Sequence, residues 1–206
     1  MLGTSALQSG VQSIPQIVGV LIFSLLAGIF VGKTRLFAPV VIASTIITSI
    51  ACGLLSLLTP SAKAGEWIGF QLLLGIGIGL GMQQAAVIVQ QTLTQDDIPL
   101  GIASVTFFQA LGPAIMVAVA QNVFNRRLLT RLSSQIHSLT WNQIINTGAV
   151  KLVDLVAEDQ EGIVINAINY GLTWIWYSCM ILAVLSAFGI AGMDWHKLNQ
   201  LRVKNR

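Results

Sequence analysis

Five stretches of the chain, approximately residues 14–32, 37–58, 67–90, 99–121 and 167–193, contain no Asp, Glu, Lys, Arg or His. A helix crosses the roughly 30 Å hydrocarbon core of a bilayer with about 20 apolar residues, so each stretch is long enough to span. Charge is confined to the gaps: Lys33 and Arg35, the turn from Thr59 to Glu66, the segment from Thr92 to Asp97, and the polar run from Asn122 to Asn166. Backbone groups in lipid must be satisfied within the segment, and none of the stretches shows the apolar–polar alternation of a barrel strand. The sequence therefore predicts an all-α membrane protein of about five transmembrane helices, multi-pass in a cell membrane, with the lipid bilayer as its principal partner.

Composition supports the same solvent. Only 9% of the 206 residues are charged, against about 25% in soluble domains. The net charge of +3 comes from basic residues in the gaps and at the end, which orientation in a membrane explains better than a nucleic-acid partner. Lys197, Arg202, Lys204 and Arg206 place residues 194–206 in the cytoplasm as a basic tail. Threading back through five spans puts Lys33, Arg35, Asp96 and Asp97 inside, and residues 1–13 and 122–166 outside. The amino terminus has no basic run ahead of a short apolar stretch, so the first span is expected to stay in the mature protein. Trp67 and Trp195 flank spans as interfacial anchors do, whereas Trp174 and Trp176 are either anchors or packed side chains.

The 122–166 segment is amphipathic. Phe124, Leu128, Leu132 and Ile136 recur every four residues, and Trp141, Ile144, Ile145, Leu152 and Val156 give a second stripe, a pattern expected of helices lying on the membrane surface, covering helix ends or binding a partner.

Glycine marks the third span, where Gly75, Gly77, Gly79 and Gly81 alternate with apolar residues. A dinucleotide-binding loop needs a strand before it and an acidic residue after it, and this context offers neither. In a membrane helix the same residues form two overlapping Gly-x-x-x-Gly pairs that let neighbouring backbones approach. Gly28 and Gly32 form a third pair, and Gly112-Pro113 predicts a kink in the fourth span. Bent or broken helices suit a protein that changes shape around a cavity.

Amides are costly to expose to lipid, so Gln71, Gln83, Gln84 and Gln109 are expected to face helices or a water-filled cavity. Gln83, Gln84 and Gln109 are the candidates for substrate contact, with interhelical hydrogen bonding the alternative. No span carries an ionisable residue of the kind that proton coupling uses. No nucleophile–base set or paired carboxylates point to an enzyme, and His137 and His196 lie outside the spans. Cys52 and Cys179 fall inside apolar blocks and read as small hydrophobes rather than metal ligands or a disulfide framework. No catalytic residue, metal or cofactor is expected.

Several strings in order carry a resemblance: Ser5-Ala6-Leu7-Gln8-Ser9-Gly10 with Pro15, Trp67-Ile68-Gly69, Gly81-Met82-Gln83-Gln84, Asp97-Ile98-Pro99-Leu100-Gly101, Phe108-Gln109-Ala110-Leu111-Gly112 and Gln121-Asn122-Val123-Phe124. Together they resemble the carboxy-terminal half of fungal fourteen-helix drug:proton antiporters, the TCR/Tet-like efflux pumps of the major facilitator superfamily. The match runs from Ser5 to about Phe124 and more loosely through the last span. It implies that the chain holds the last five helices of such a protein, without the amino-terminal half. It also implies a plasma-membrane role in exporting toxic compounds or secondary metabolites. Lys33 and Arg35 look like an altered copy of the family's cytoplasmic loop motif, lacking its acidic residue. Two readings follow. One is a truncated or partial transporter that handles a small amphipathic molecule only when completed by an amino-terminal half. The other is an accessory protein packing its glycine faces against a partner membrane protein.

Overall fold

The computed structural model describes residues 10–34, 36–59, 62–133 and 160–191. All regular structure among them is helical: α1 (Ile14–Thr34), α2 (Ala38–Ser56), α3 (Ala64–Gly81), α4 (Gln84–Thr92), α5 (Ile98–Ser133) and α6 (Glu161–Ala191). Counting α3 and α4 as one, 5 helices among the described residues are long and apolar enough to cross a membrane. The terminal segments, Arg35, Pro60, and the second amphipathic stripe from Trp141 to Val156 lie outside the described residues.

Local chemistry sets the helix ends. Pro39 sits in the first turn of α2, where a missing N–H costs nothing. The Lys63 N–H donates to the Glu66 carboxylate at 3.3 Å, closing the start of α3. At the start of α5 the Thr94 hydroxyl donates to Asp97 Oδ2 at 2.7 Å, and the Gly101 N–H donates to the Asp97 carbonyl at 3.0 Å. Asp97 thus belongs to the turn that launches the helix.

α3 packs between α1 and α2, α2 packs on α6, α6 on α5, and α5 returns to α4. Three apolar clusters hold this arrangement. Ala27 and Val31 of α1 meet Phe37 and Val40, with Val87 and Ile88 of α4 against them. Ala51, Cys52 and Leu55 of α2 meet Leu74 of α3, with Trp176, Cys179 and Met180 of α6 alongside. Trp176 is therefore a packed residue, and Cys52 and Cys179 are free thiols in a shared apolar contact. Much of the remaining apolar surface faces outward: Leu100 is 72% exposed and Phe188 70%, a surface that hydrocarbon solvates and water does not.

Two elements depart from the expected spans. The third does not run unbroken from 67 to 90 but divides at Met82–Gln83. The fourth does not stop near 121 and continues to Ser133, while the last begins at Glu161 rather than 167. These extensions meet: Leu128, Leu129 and Leu132 of α5 are buried against Val164, Ala167 and Ile168 of α6, with Phe124 beside them. Phe124, Leu128 and Leu132 of the first amphipathic stripe thus find their apolar partner in another helix, while Ile136 lies outside the described residues. Absence of charge measures how far a helix runs in hydrocarbon, whereas a helix continues past the lipid whenever a packed neighbour supports it.

Candidate functional site

The interruption of the third span is where chain irregularity and polar side chains coincide. Glycine disfavours helix by about 1 kcal/mol relative to alanine, and α3 ends on Gly79-Leu80-Gly81. The helix nearly survives: the Met82 N–H still donates to the Ile78 carbonyl at 2.9 Å, and the Val87 N–H to the Gln83 carbonyl at 3.1 Å. Between them a helix end and a helix start leave backbone groups short of partners. Gln109 of α5 supplies one, its Nε2 donating to the Met82 carbonyl at 3.3 Å.

The three glutamines singled out from the sequence are placed differently. Gln83 is exposed and precedes α4 as its N-cap, without a side-chain cap bond. Gln109 is exposed and bridges α5 to the break. Gln84 is only 2% exposed, and its Oε1 has no hydrogen-bond partner among the described residues. It shares a face of α4 with Val87 and Ile88, the residues that pack towards α1 and Val40. Gln83 and Gln109 therefore flank the interruption, and Gln84 turns into the helix interface beside it. Gln91 shares the face of Gln84 at a seven-residue spacing and also has a buried, unpartnered Oε1, as does Gln71 in α3. Gln91 was missed in the sequence because it lies just past the expected end of the span; its spacing from Gln84 is the signal that finds it.

The glycines of α3 divide by face. A Cβ on Gly79 would stand 2.6 Å from the Val20 carbonyl oxygen, and one on Gly75 would meet the Gln16 carbonyl oxygen. Both contacts are with α1 backbone. Gly77 and Gly81 turn to α2 instead: a Cβ on Gly77 would lie 2.8 Å from the Thr48 nitrogen, and one on Gly81 would meet Ser44 Oγ. Each Gly-x-x-x-Gly pair thus admits a different neighbour. Ser44 is buried, and its hydroxyl donates to the Gly77 carbonyl at 2.7 Å. Thr45 and Ser49, by contrast, bond back to carbonyls of their own helix.

Among the described residues, Gly28, Gly32 and Gly112 have nothing within 4 Å of an added Cβ. α5 continues as helix through Pro113. An apolar groove of about 570 Å³ opens between α1 and α2, with Phe23, Phe30 and Val40 in its wall and Lys33 at its lining. Its apolar walls suit hydrocarbon.

No protein-family model matches the chain, and no solved structure matches it. Similarity to curated proteins covers almost all of it. It is 35% identical over 198 residues to the efflux pump roqT of Penicillium rubens, covering 96% of this chain and 37% of that protein. It is 36% identical over 193 residues to the MFS-type transporter astH of Aspergillus oryzae, covering 94% of this chain and 34% of that protein. The aspyridones efflux protein of Neocamarosporium betae is 36% identical over 197 residues, covering 95% of this chain and 35% of that protein. The chain spans about a third of the length of these relatives, and the matched part is a carboxy-terminal portion.

Proposed function

We propose that this chain, a multi-pass membrane homologue of the carboxy-terminal portion of fungal efflux pumps and MFS-type transporters, is part of an efflux transporter of small amphipathic compounds or secondary metabolites. Transport is by proton antiport, resides in the cell membrane and involves no enzymatic step. The observation that carries the reading in the structure is the interruption at Met82–Gln83 within an apolar span, where an amide from α5 reaches a backbone carbonyl. In a transporter, such a break offers polar groups to a substrate inside the membrane and a point at which helix halves reorient.

Gln109 and Gln83 act on the substrate at the break, and Gln84 is a buried amide that gains a partner when that region rearranges. The glycine faces of α3 keep it close to α1 and α2 while permitting the small sliding that alternating access requires. Because the chain corresponds to about a third of its relatives, the facing wall of the substrate path comes from elsewhere, and the chain alone does not transport. A partner membrane protein is the second source of that wall; the exposed apolar surface of α5, including Phe107 and Phe108, supports this reading.

The test is efflux from sealed vesicles under an imposed pH gradient. The chain alone is expected to give no substrate flux above empty vesicles. A chimera in which it replaces the matched portion of the Penicillium rubens pump is expected to export. Gln109→Ala in that chimera is expected to reduce export at least tenfold, the scale of losing an orienting contact. Flux by the chain alone, or an unaffected Gln109→Ala chimera, would overturn the reading.

A further inference from the structure

α3 packs against both α1 and α2, while those two scarcely touch each other. The glycine faces explain this geometry. Gly75 and Gly79 bring the α1 backbone onto α3, Gly77 and Gly81 bring α2 onto it, and a space remains between the outer two helices. That space is the apolar groove of about 570 Å³. Among the described residues, Phe23, Leu26 and Phe30 of α1 form one wall, Val40 and Ala43 of α2 the other, and Leu80 of α3 also lines it. Leu26 is 50% exposed and Phe30 45%, so the α1 wall is open towards the bilayer.

The length of the groove and the charge at its end select the occupant. Lining residues of α1 run from Phe23 to Lys33 and Thr34. Phe23 and Lys33 stand about 15 Å apart along the helix axis, half of the roughly 30 Å hydrocarbon core. An acyl chain in one leaflet occupies that depth, whereas a neighbouring membrane helix runs through most of the full thickness. Lys33 closes the uncharged run that forms the span of α1. A lysine there lays its methylene stem along apolar surface and lifts its ammonium to headgroup level. Lys33 and Arg35 are the only charged residues from Met1 to Ala62. The turn from α1 to α2 is therefore cationic, without an acid in its own sequence, and complements a negatively charged headgroup.

We infer that this groove holds an acyl chain of an anionic phospholipid, with the headgroup phosphate at Lys33. Burial against Phe23, Leu26 and Phe30 supplies the affinity, and the lysine supplies the preference for negative charge. The site does not depend on the transport reading.

The full chain, purified in detergent and stripped of lipid, tests this by native mass spectrometry with phosphatidylserine and phosphatidylcholine of identical acyl chains. Phosphatidylserine is expected to bind about fivefold more tightly, the scale of one lysine at an anionic surface. Lys33→Gln is expected to remove that preference and to leave phosphatidylcholine binding unchanged. Ala43→Phe, which fills the groove from the α2 wall, is expected to weaken both lipids about threefold or more in a chain of unchanged helicity, the scale of excluding a methylene or two. Phosphatidylserine carrying a photoactivatable diazirine in its acyl chain locates the site, with adducts expected within residues 23–34 and 39–43. Equal binding of the two lipids, a preference that survives Lys33→Gln, unchanged binding by a helical Ala43→Phe variant, or adducts confined to other helices would overturn the proposal. A dimer that excludes the lipid would overturn it too and assign the groove to a second copy. Loss of the adducts when the chain is joined to the remainder of the Penicillium rubens pump would overturn it in favour of a covering helix.

Discussion

Gly79→Ala probes whether the α3 glycines are contacts or merely composition. The added methyl would stand 2.6 Å from the Val20 carbonyl oxygen and 3.1 Å from the Ser24 nitrogen. Both obstacles are backbone atoms of α1, which cannot rotate aside as a side chain can. Ordinary contact begins near 3.4 Å, so the helices must separate locally by about 0.8 Å, a gap that forfeits a quarter to a half of the dispersion energy of the atoms involved. Overpacking of this kind costs about 1–3 kcal/mol, and alanine's better helix propensity returns up to about 1 kcal/mol. The expected net loss is about 1–2 kcal/mol. Gly28→Ala is the matched control: it is also on a transmembrane helix, but nothing lies within 4 Å of its Cβ, so only the propensity gain remains. Reversible unfolding of the chain in mixed micelles, titrated with a denaturing detergent and followed by helicity, reads both. If Gly79→Ala matches the parent in stability, or loses no more than Gly28→Ala does, the close approach of α1 and α3 through Gly79 is refuted.

Other perturbations separate packing from function. Gln84→Met replaces a buried amide whose oxygen is unpartnered with an apolar side chain of similar length. It is expected to stabilise the chain by about 1 kcal/mol in the same unfolding assay, while lowering export by the chimera; a loss of stability would mean that the amide is satisfied. Leu132→Ala empties a fully buried position between α5 and α6. About 2–4 kcal/mol of local stability should be lost, measured as faster amide exchange in residues 124–133 and 161–168 with α1 to α3 unchanged.

The break between α3 and α4 shows where sequence reasoning stopped. Its ingredients were legible: four alternating glycines and two adjacent glutamines in an apolar block. Hydropathy, however, averages over many residues and registers neither a turn at Met82–Gln83 nor the Gln109 amide that donates to the Met82 carbonyl there. The glycine pairs were legible as pairs, but their division between α1 and α2 needs the rotation of α3 about its axis, which depends on both neighbours at once. Gly28 and Gly32 have the same spacing, yet open space surrounds them. A spacing motif gives permission for close approach, and another helix must be there to use it.

What the amino-acid sequence determined by itself is the solvent and the number of spans. Uncharged runs longer than the hydrocarbon is thick leave the backbone no economical state other than membrane helix, and this holds whichever helices become neighbours. Tertiary structure alone decided that the amphipathic end of α5 packs on α6, and that Arg127 and Arg131 stack on Trp174 and Tyr170. Those contacts join residues about forty positions apart in the chain, beyond the reach of helical periodicity. The physical reason for the division is range: transfer from water to lipid is a property of each segment, whereas close packing, stacking and the partner of a freed carbonyl are properties of pairs.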